Sequence, residues 1–243
     1  MTNLTLPFEF PVAPADILRR RAMILAELLA QDEAFCRIPV QSISALTPAR
    51  MLRLYDNAFF SGALQRSYDE LKVSLSSRLI SAAGKFMYTR SGILRSRRAE
   101  IRMSSDFLFR LTDGPFSLNG LSAATPQEAF LLVFEHELCH VAEYALFAST
   151  GHSKRFLALA NGLFGHTKAH HSLPTRAQEA AQNGFRVGDS VAFLHEGCMC
   201  CGVITYIGKT ATVMVRSAAG EYKDALGRRY TKYRVPLNML RHG

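Results

Sequence analysis

Phe134-Glu135-His136-Glu137-Leu138-Cys139-His140 decides how this chain is read. It contains His-Glu-x-x-His, the pattern of a zinc site carried on a helix. Four helical residues amount to about 400° of rotation and ~6 Å of rise, so the imidazoles of His136 and His140 point the same way. Glu137 stands between them in sequence and can reach a water beside the ion. The flanking residues predict a helix. Thr125-Pro126-Gln127-Glu128 is a capping box with proline at the first helical position. Ala129, Leu131, Leu132, Val133, Phe134, Leu138, Val141 and Ala142 are apolar nearly all round, the pattern of a helix buried through a core. Two histidines and a glutamate on such a helix need compensation, and a metal supplies it.

A catalytic zinc takes three protein ligands and keeps one position open. Metzincin spacing requires a glycine and a histidine where this chain has Glu143 and Leu146, so that class is excluded. A distant glutamate, as in thermolysin-like enzymes, finds poor support, because the next acid after Glu143 is Glu179. The best third ligand is His152, in Ser149-Thr150-Gly151-His152-Ser153-Lys154-Arg155-Phe156. A helix running from His140 to about Ala148 moves away by ~12 Å. Four extended residues span up to ~13 Å, enough to return to the metal. Gly151 suits the reversal, and Ser153 suits the cap of a following helix with Phe156, Leu159, Ala160 and Leu163 on one face. Glu143 lies on nearly the same helix face as His140 and is the rival ligand; the open-site logic favours His152.

His136-Glu137-Leu138-Cys139-His140 followed by Gly151-His152 and Phe156 resembles the SprT-like zinc metallopeptidases, the group that includes the Spartan DNA–protein crosslink proteases. Upstream, Tyr55-Asp56, Phe59-Phe60, Gly62 and Leu64 resemble the family's early helix. Ser77-Arg78-Leu79 with Ala83-Gly84, then Ile101-Arg102-Met103-Ser104, resembles its strand pair. The likeness covers roughly 47 to 170. It implies a minimal zincin fold, one Zn2+ ion held by His136, His140 and His152, Glu137 as general base, and a link to DNA-bound protein substrates. Many relatives carry a Cys-pair zinc ribbon after the protease core; this chain does not.

The chain has 243 residues, enough for one large or two smaller domains. Its 48% hydrophobic and 20% charged content is that of a globular protein. A formal net charge of +9 favours a polyanionic partner such as nucleic acid. Residues 1–20 lack a basic segment followed by an apolar core, and no apolar run reaches the ~18 residues of a membrane span. No secretory leader and no membrane partner are therefore expected. Five cysteines, badly spaced for a staple framework, suit a reducing compartment, so the expected location is cytoplasmic, with nucleoid association open.

Residues 1–46 read as an N-terminal helical extension. Its helix, 15–31, shows a broad apolar face from Ile17 to Leu29, and Arg19, Arg20 and Arg21 read as a solvated basic patch. Thr47-Pro48 opens a second helix that runs to Gly62. From Leu71 the period changes to two, and strands follow near Lys85–Arg90 and Glu100–Met103. Residues 85–102 hold six basic residues against one acid, so the tip carrying Arg95, Arg97 and Arg98 is a candidate for holding phosphate backbone, with a solvated loop as the equal alternative. Residues 106–124 show only a turn signal, Asp113-Gly114-Pro115. His166, His170 and His171 read as packing or surface histidines, with a place beside the metal or a substrate oxyanion as the alternative.

The zinc domain is assigned to 47–171, and residues 172–184 read as a linker with a short helix ended by Asn183-Gly184. Residues 185–243 alternate in short strands with tight turns, which suggests a small SH3-like β-barrel, and the stretches 209–213 and 234–236 resemble the barrel appended to some bacterial SprT-like proteins. Residues 209–243 hold eight basic residues against two acids, so Lys209 and Arg229 join the expected nucleic-acid contacts, with Tyr222, Tyr230 and Tyr233 as stacking or packing residues. Cys198, Cys200 and Cys201 do not have finger or ribbon spacing. The resulting expectation is an α+β chain, a zinc endopeptidase acting on DNA-associated or DNA-crosslinked proteins, with a role in DNA repair. The rivals are a nucleic-acid-binding or adaptor protein with a non-catalytic zinc domain, and a metal-dependent hydrolase of non-peptide substrates.

Overall fold

The computed structural model describes residues 8–90, 97–112, 114–169 and 176–243; Arg95, Asp113, His170 and His171 lie outside the described residues. The chain is mixed α+β and divides into two compact units, Met1–Leu173 and Pro174–Gly243. No helix among the described residues is long and apolar enough to cross a membrane.

The first unit opens with α1 (Pro14–Gln31), the single turn α2 (Glu33–Cys36), α3 (Thr47–Phe60) and the short α4 (Ala63–Arg66). Strands β1 (Glu70–Ser76), β2 (Gly84–Arg90) and β3 (Arg97–Ser104) follow, then α5 (Ser105–Arg110) and the hairpin β4 (Phe116–Leu118) and β5 (Leu121–Ala123). Helices α6 (Pro126–Phe147) and α7 (Lys154–Phe164) complete it. β3 is central, parallel to β1 and antiparallel to β2, which leaves β2 at the sheet edge.

Residues 106–124 hold more structure than a turn. Ser104 caps α5 by accepting from the Phe107 amide at 3.0 Å. Asn119 and Gly120, both left-handed (φ 52° and 83°), make the two-residue turn between β4 and β5. An Asn-Gly pair is itself a hairpin signal, because that turn needs positive φ at both central positions.

The capping box of α6 is formed: the Glu128 amide donates to Thr125 Oγ1 at 3.2 Å, and Glu128 Oε2 accepts from the Thr125 amide at 3.4 Å. α6 is buried from Pro126 to Cys139 except for Glu128, and again from Val141 to Glu143, as its all-round apolar pattern predicts. Around it the Phe164 ring packs on those of Tyr55, Phe59 and Phe60, with centroids 6.0, 4.9 and 6.1 Å away. Each such ring fully buried contributes roughly 1.5–3 kcal/mol. Ile17, Ile24 and Leu28 of α1 enter the same core, so the N-terminal extension is an integral wall of this unit.

The second unit begins with α8 (Arg176–Gln182), within the stretch expected to be linker. Ala180 of α8 is fully buried in this unit's core with Val191, Phe193, Ile204, Val213 and Val235. Six strands follow: β6 (Ser190–His195), β7 (Cys198–Ile207), β8 (Ala211–Arg216), β9 (Tyr222–Lys223), β10 (Arg229–Val235) and β11 (Arg241–His242). They form one antiparallel sheet in the order β11-β6-β7-β8-β10-β9.

Candidate metal centre

His136 and His140 sit one turn apart on the buried middle of α6, and His152 stands on the loop between α6 and α7. The three imidazole centroids form an equilateral triangle, 5.0 Å on every side. His136 Nε2 and His152 Nε2 lie 3.0 Å apart, and one ring nitrogen from each histidine falls within 4.8 Å of the others. A tetrahedral zinc with bonds of ~2.0–2.1 Å sets its ligand nitrogens about 3.3 Å apart, so the three donors fit such an ion. Phe156, on the first turn of α7, packs its ring 4.9, 4.4 and 4.9 Å from those of His136, His140 and His152. It is the apolar base on which the triangle rests.

Glu137 lines the same cavity of about 400 Å3 as the three histidines, together with Gly84, Lys85, Phe86, Tyr88 and Thr150. Its carboxylate lies against Gly84, where a β-carbon would come within 2.8 Å of Glu137 Oε1. Burial pushes the carboxyl up to about 8, against the hydrogen bond donated by the Phe86 amide. Burial, and then the charge of His152, pull His140 down to about 4, so its ring is neutral and free to ligate at physiological pH. Glu143 is also fully buried, and its Oε2 has no hydrogen-bond partner among the described residues. Buried carboxylates require compensating charge. For Glu137 no cationic partner is found among the described residues, and a divalent ion held by the triangle would supply that charge.

Glu135 behaves differently. It points away from the triangle into the core and accepts from Arg21 Nε and Nη2 at 2.7 and 2.8 Å. The Tyr55 hydroxyl donates to it at 2.9 Å, and His166 Nε2 lies 2.9 Å from its other oxygen. Burial alone would raise this carboxyl; the Arg21 charge and the His166 hydrogen bond outweigh burial and hold it below the ordinary range. The Arg19–Arg21 run is therefore not one solvated patch. Arg19 stays outside with Asp16, whereas Arg21 is drawn into the core. The signal was its spacing: Ile17, Arg21, Ile24 and Leu28 share one helix face. His166 is fully enclosed beside Glu135, a packing histidine rather than a surface one.

Glu143, the rival ligand, is not in the metal-binding group; it accepts from Ser153 Oγ at 2.9 Å instead. Cys198, Cys200 and Cys201 are unbridged on β7, and among the described residues only His136, His140 and His152 gather at metal-binding distance. Arg97 and Arg98 open β3 in the first unit, with Arg98 reaching Glu70 at 3.7 Å. Lys209 lies in the turn between β7 and β8, and Arg229 opens β10, both in the second unit. Gly84 and Phe156 gain their roles from contacts that their local sequence does not announce.

No curated protein and no solved structure matches the chain. The family model for the SprT-like family matches residues 49–177, from the start of α3 through α7 and including all three histidines. That is more than half of the 243 residues, and the chain belongs to the SprT-like family.

Proposed function

We propose that the protein is a zinc-dependent endopeptidase whose ligands are His136, His140 and His152 and whose general base is Glu137. The observation that carries this reading is the equilateral histidine triangle opening into the cavity that also holds the Glu137 carboxylate. Membership of the SprT-like family supports a metallopeptidase-type role. In this reading the first unit is a minimal zincin fold and the second an SH3-like barrel.

Zinc, when bound, supplies the Lewis-acid charge that polarises a scissile carbonyl and acidifies water. The residues do the rest. His136 and His140 come from the rigid interior of α6, and Phe156 excludes water beneath them. The Phe86 amide holds the Glu137 carboxylate in place. A cation close by favours the ionised carboxylate. Glu137 then takes a proton from the attacking water and delivers it to the leaving amine nitrogen, a transfer that needs one carboxylate within reach of both groups.

The basic residues Arg95, Arg97, Arg98, Lys209 and Arg229 are proposed as contacts to DNA, so that the substrates are proteins bound or crosslinked to it. The exposed side chain of Arg98 and the +9 net charge support this part. The test is cleavage of a DNA-bound protein by the full chain, with and without DNA and with and without chelator. Zinc-dependent cleavage that DNA accelerates is expected. DNA binding without any turnover by zinc-loaded protein would replace the peptidase by a nucleic-acid-binding or adaptor role.

A further inference from the structure

His152 is the weak point of the triangle. It is exposed, and it stands in irregular chain between Ala148, which ends α6 in the left-handed region, and Lys154, which begins α7. A ligand on such a loop loses conformational freedom when it binds, so something must hold it in place beforehand. The residue after it supplies the hold. Ser153 Oγ donates to Glu143 Oε1 at 2.9 Å, across ten residues of chain, and accepts from the Phe156 amide at 3.3 Å. One hydroxyl thus ties the loop to the interior of α6 and to the first turn of α7, whose Phe156 ring underlies all three imidazoles.

Glu143 has no other evident employment. It is fully buried, lies three residues beyond His140 on α6 and does not join the metal-binding group. Burying a carboxylate for a single hydrogen bond from a serine is costly. From these contacts we infer that Glu143 and Ser153 are positioning residues for the third ligand: the carboxylate anchors Ser153, and Ser153 holds His152 over Phe156 at the distance the ion requires. This rests on the zinc reading above.

The experiment is zinc titration of the full-length protein against a competing chelator, with Co2+ absorption as a second readout of ligand geometry. Glu143→Ala and Ser153→Ala are expected to weaken zinc binding by about 10–100-fold, the usual cost of losing an outer hydrogen bond to a metal site. Glu143→Gln and Ser153→Thr keep an acceptor and a hydroxyl, and are expected to bind within about threefold of the parent. In a His152→Ala background, Ser153→Ala is expected to cost no further affinity, because it acts through the missing ring. Unfolding of the metal-free variants shows whether Glu143→Ala still folds; Ser153→Ala and Ser153→Thr decide the matter if it does not. Parent-like zinc affinity in Ser153→Ala, or a loss that simply adds to that of His152→Ala, would overturn the positioning role while leaving the zinc reading intact. A parent protein that takes up no zinc would overturn both.

Discussion

Gly84 and Glu137 meet without room for a side chain between them: a β-carbon at Gly84 would lie 2.7 Å from Glu137 Cγ and 2.8 Å from Oε1. The glycine is the first residue of edge strand β2, and two residues later the Phe86 amide donates to the same carboxylate. The strand thus sets both the space and the orientation of the proposed base.

Gly84→Ala is therefore expected to displace the carboxylate while leaving the three histidines in place. Cleavage should fall by at least about 100-fold, as for a small misplacement of a catalytic group. Stability should fall by only ~1–3 kcal/mol, the usual cost of overpacking. Zinc content, turnover and thermal unfolding of one preparation check all three. Parent-like turnover would mean that Glu137 is not where the chemistry happens.

Glu137→Gln should abolish cleavage and keep the metal. It should also change how the metal-free protein responds to pH. The folded-state carboxyl is raised from 4.5 to about 8, so the folded protein holds a proton there that the unfolded chain has lost. That contribution is complete below about pH 4.5 and disappears as pH rises through about 8. Urea unfolding in chelator should show the glutamine variant more stable than the parent by a few kcal/mol above pH 8, with the gap closing in acid. A gap independent of pH would refute the assignment.

Arg21→Met removes the guanidinium that pairs with Glu135. The expected cost is about 3–5 kcal/mol at neutral pH, because a buried carboxylate is left without its counter-charge. In the parent this carboxyl is held below 4.5, so its stabilisation is present above that pH and is lost as pH falls through the lower folded value. The difference between variant and parent should shrink in acid, where a protonated Glu135 needs no partner. Denaturant unfolding at two pH values is sufficient to check it.

Phe156→Ala should cost ~3–5 kcal/mol and weaken zinc binding, since the ring supports all three imidazoles. Chelation of the parent should lower its unfolding midpoint, and restored zinc at 100 times its dissociation constant should return roughly 2.7 kcal/mol. Calorimetry with and without chelator measures both.

By itself the sequence determined what depends on local periodicity. The spacing of His136 and His140 forces both rings to one side of α6, the Thr125–Glu128 box sets where that helix begins, and its all-round apolar pattern demands burial. These follow because a helix repeats the same backbone geometry wherever it occurs. Chain length also allowed His152 to return to the site, and the open-site logic favoured it, but reach permits a contact without fixing it, and Glu143 lay on nearly the same helix face as His140. Tertiary packing made the selection: Ser153 took Glu143 as its acceptor, and His152 closed the triangle over Phe156. The pairing of Arg21 with Glu135 and the approach of Gly84 to Glu137 join residues 114 and 53 positions apart. Such contacts arise from how separate elements fill one core, where burial of a charge and the volume of a single β-carbon decide which neighbours can coexist.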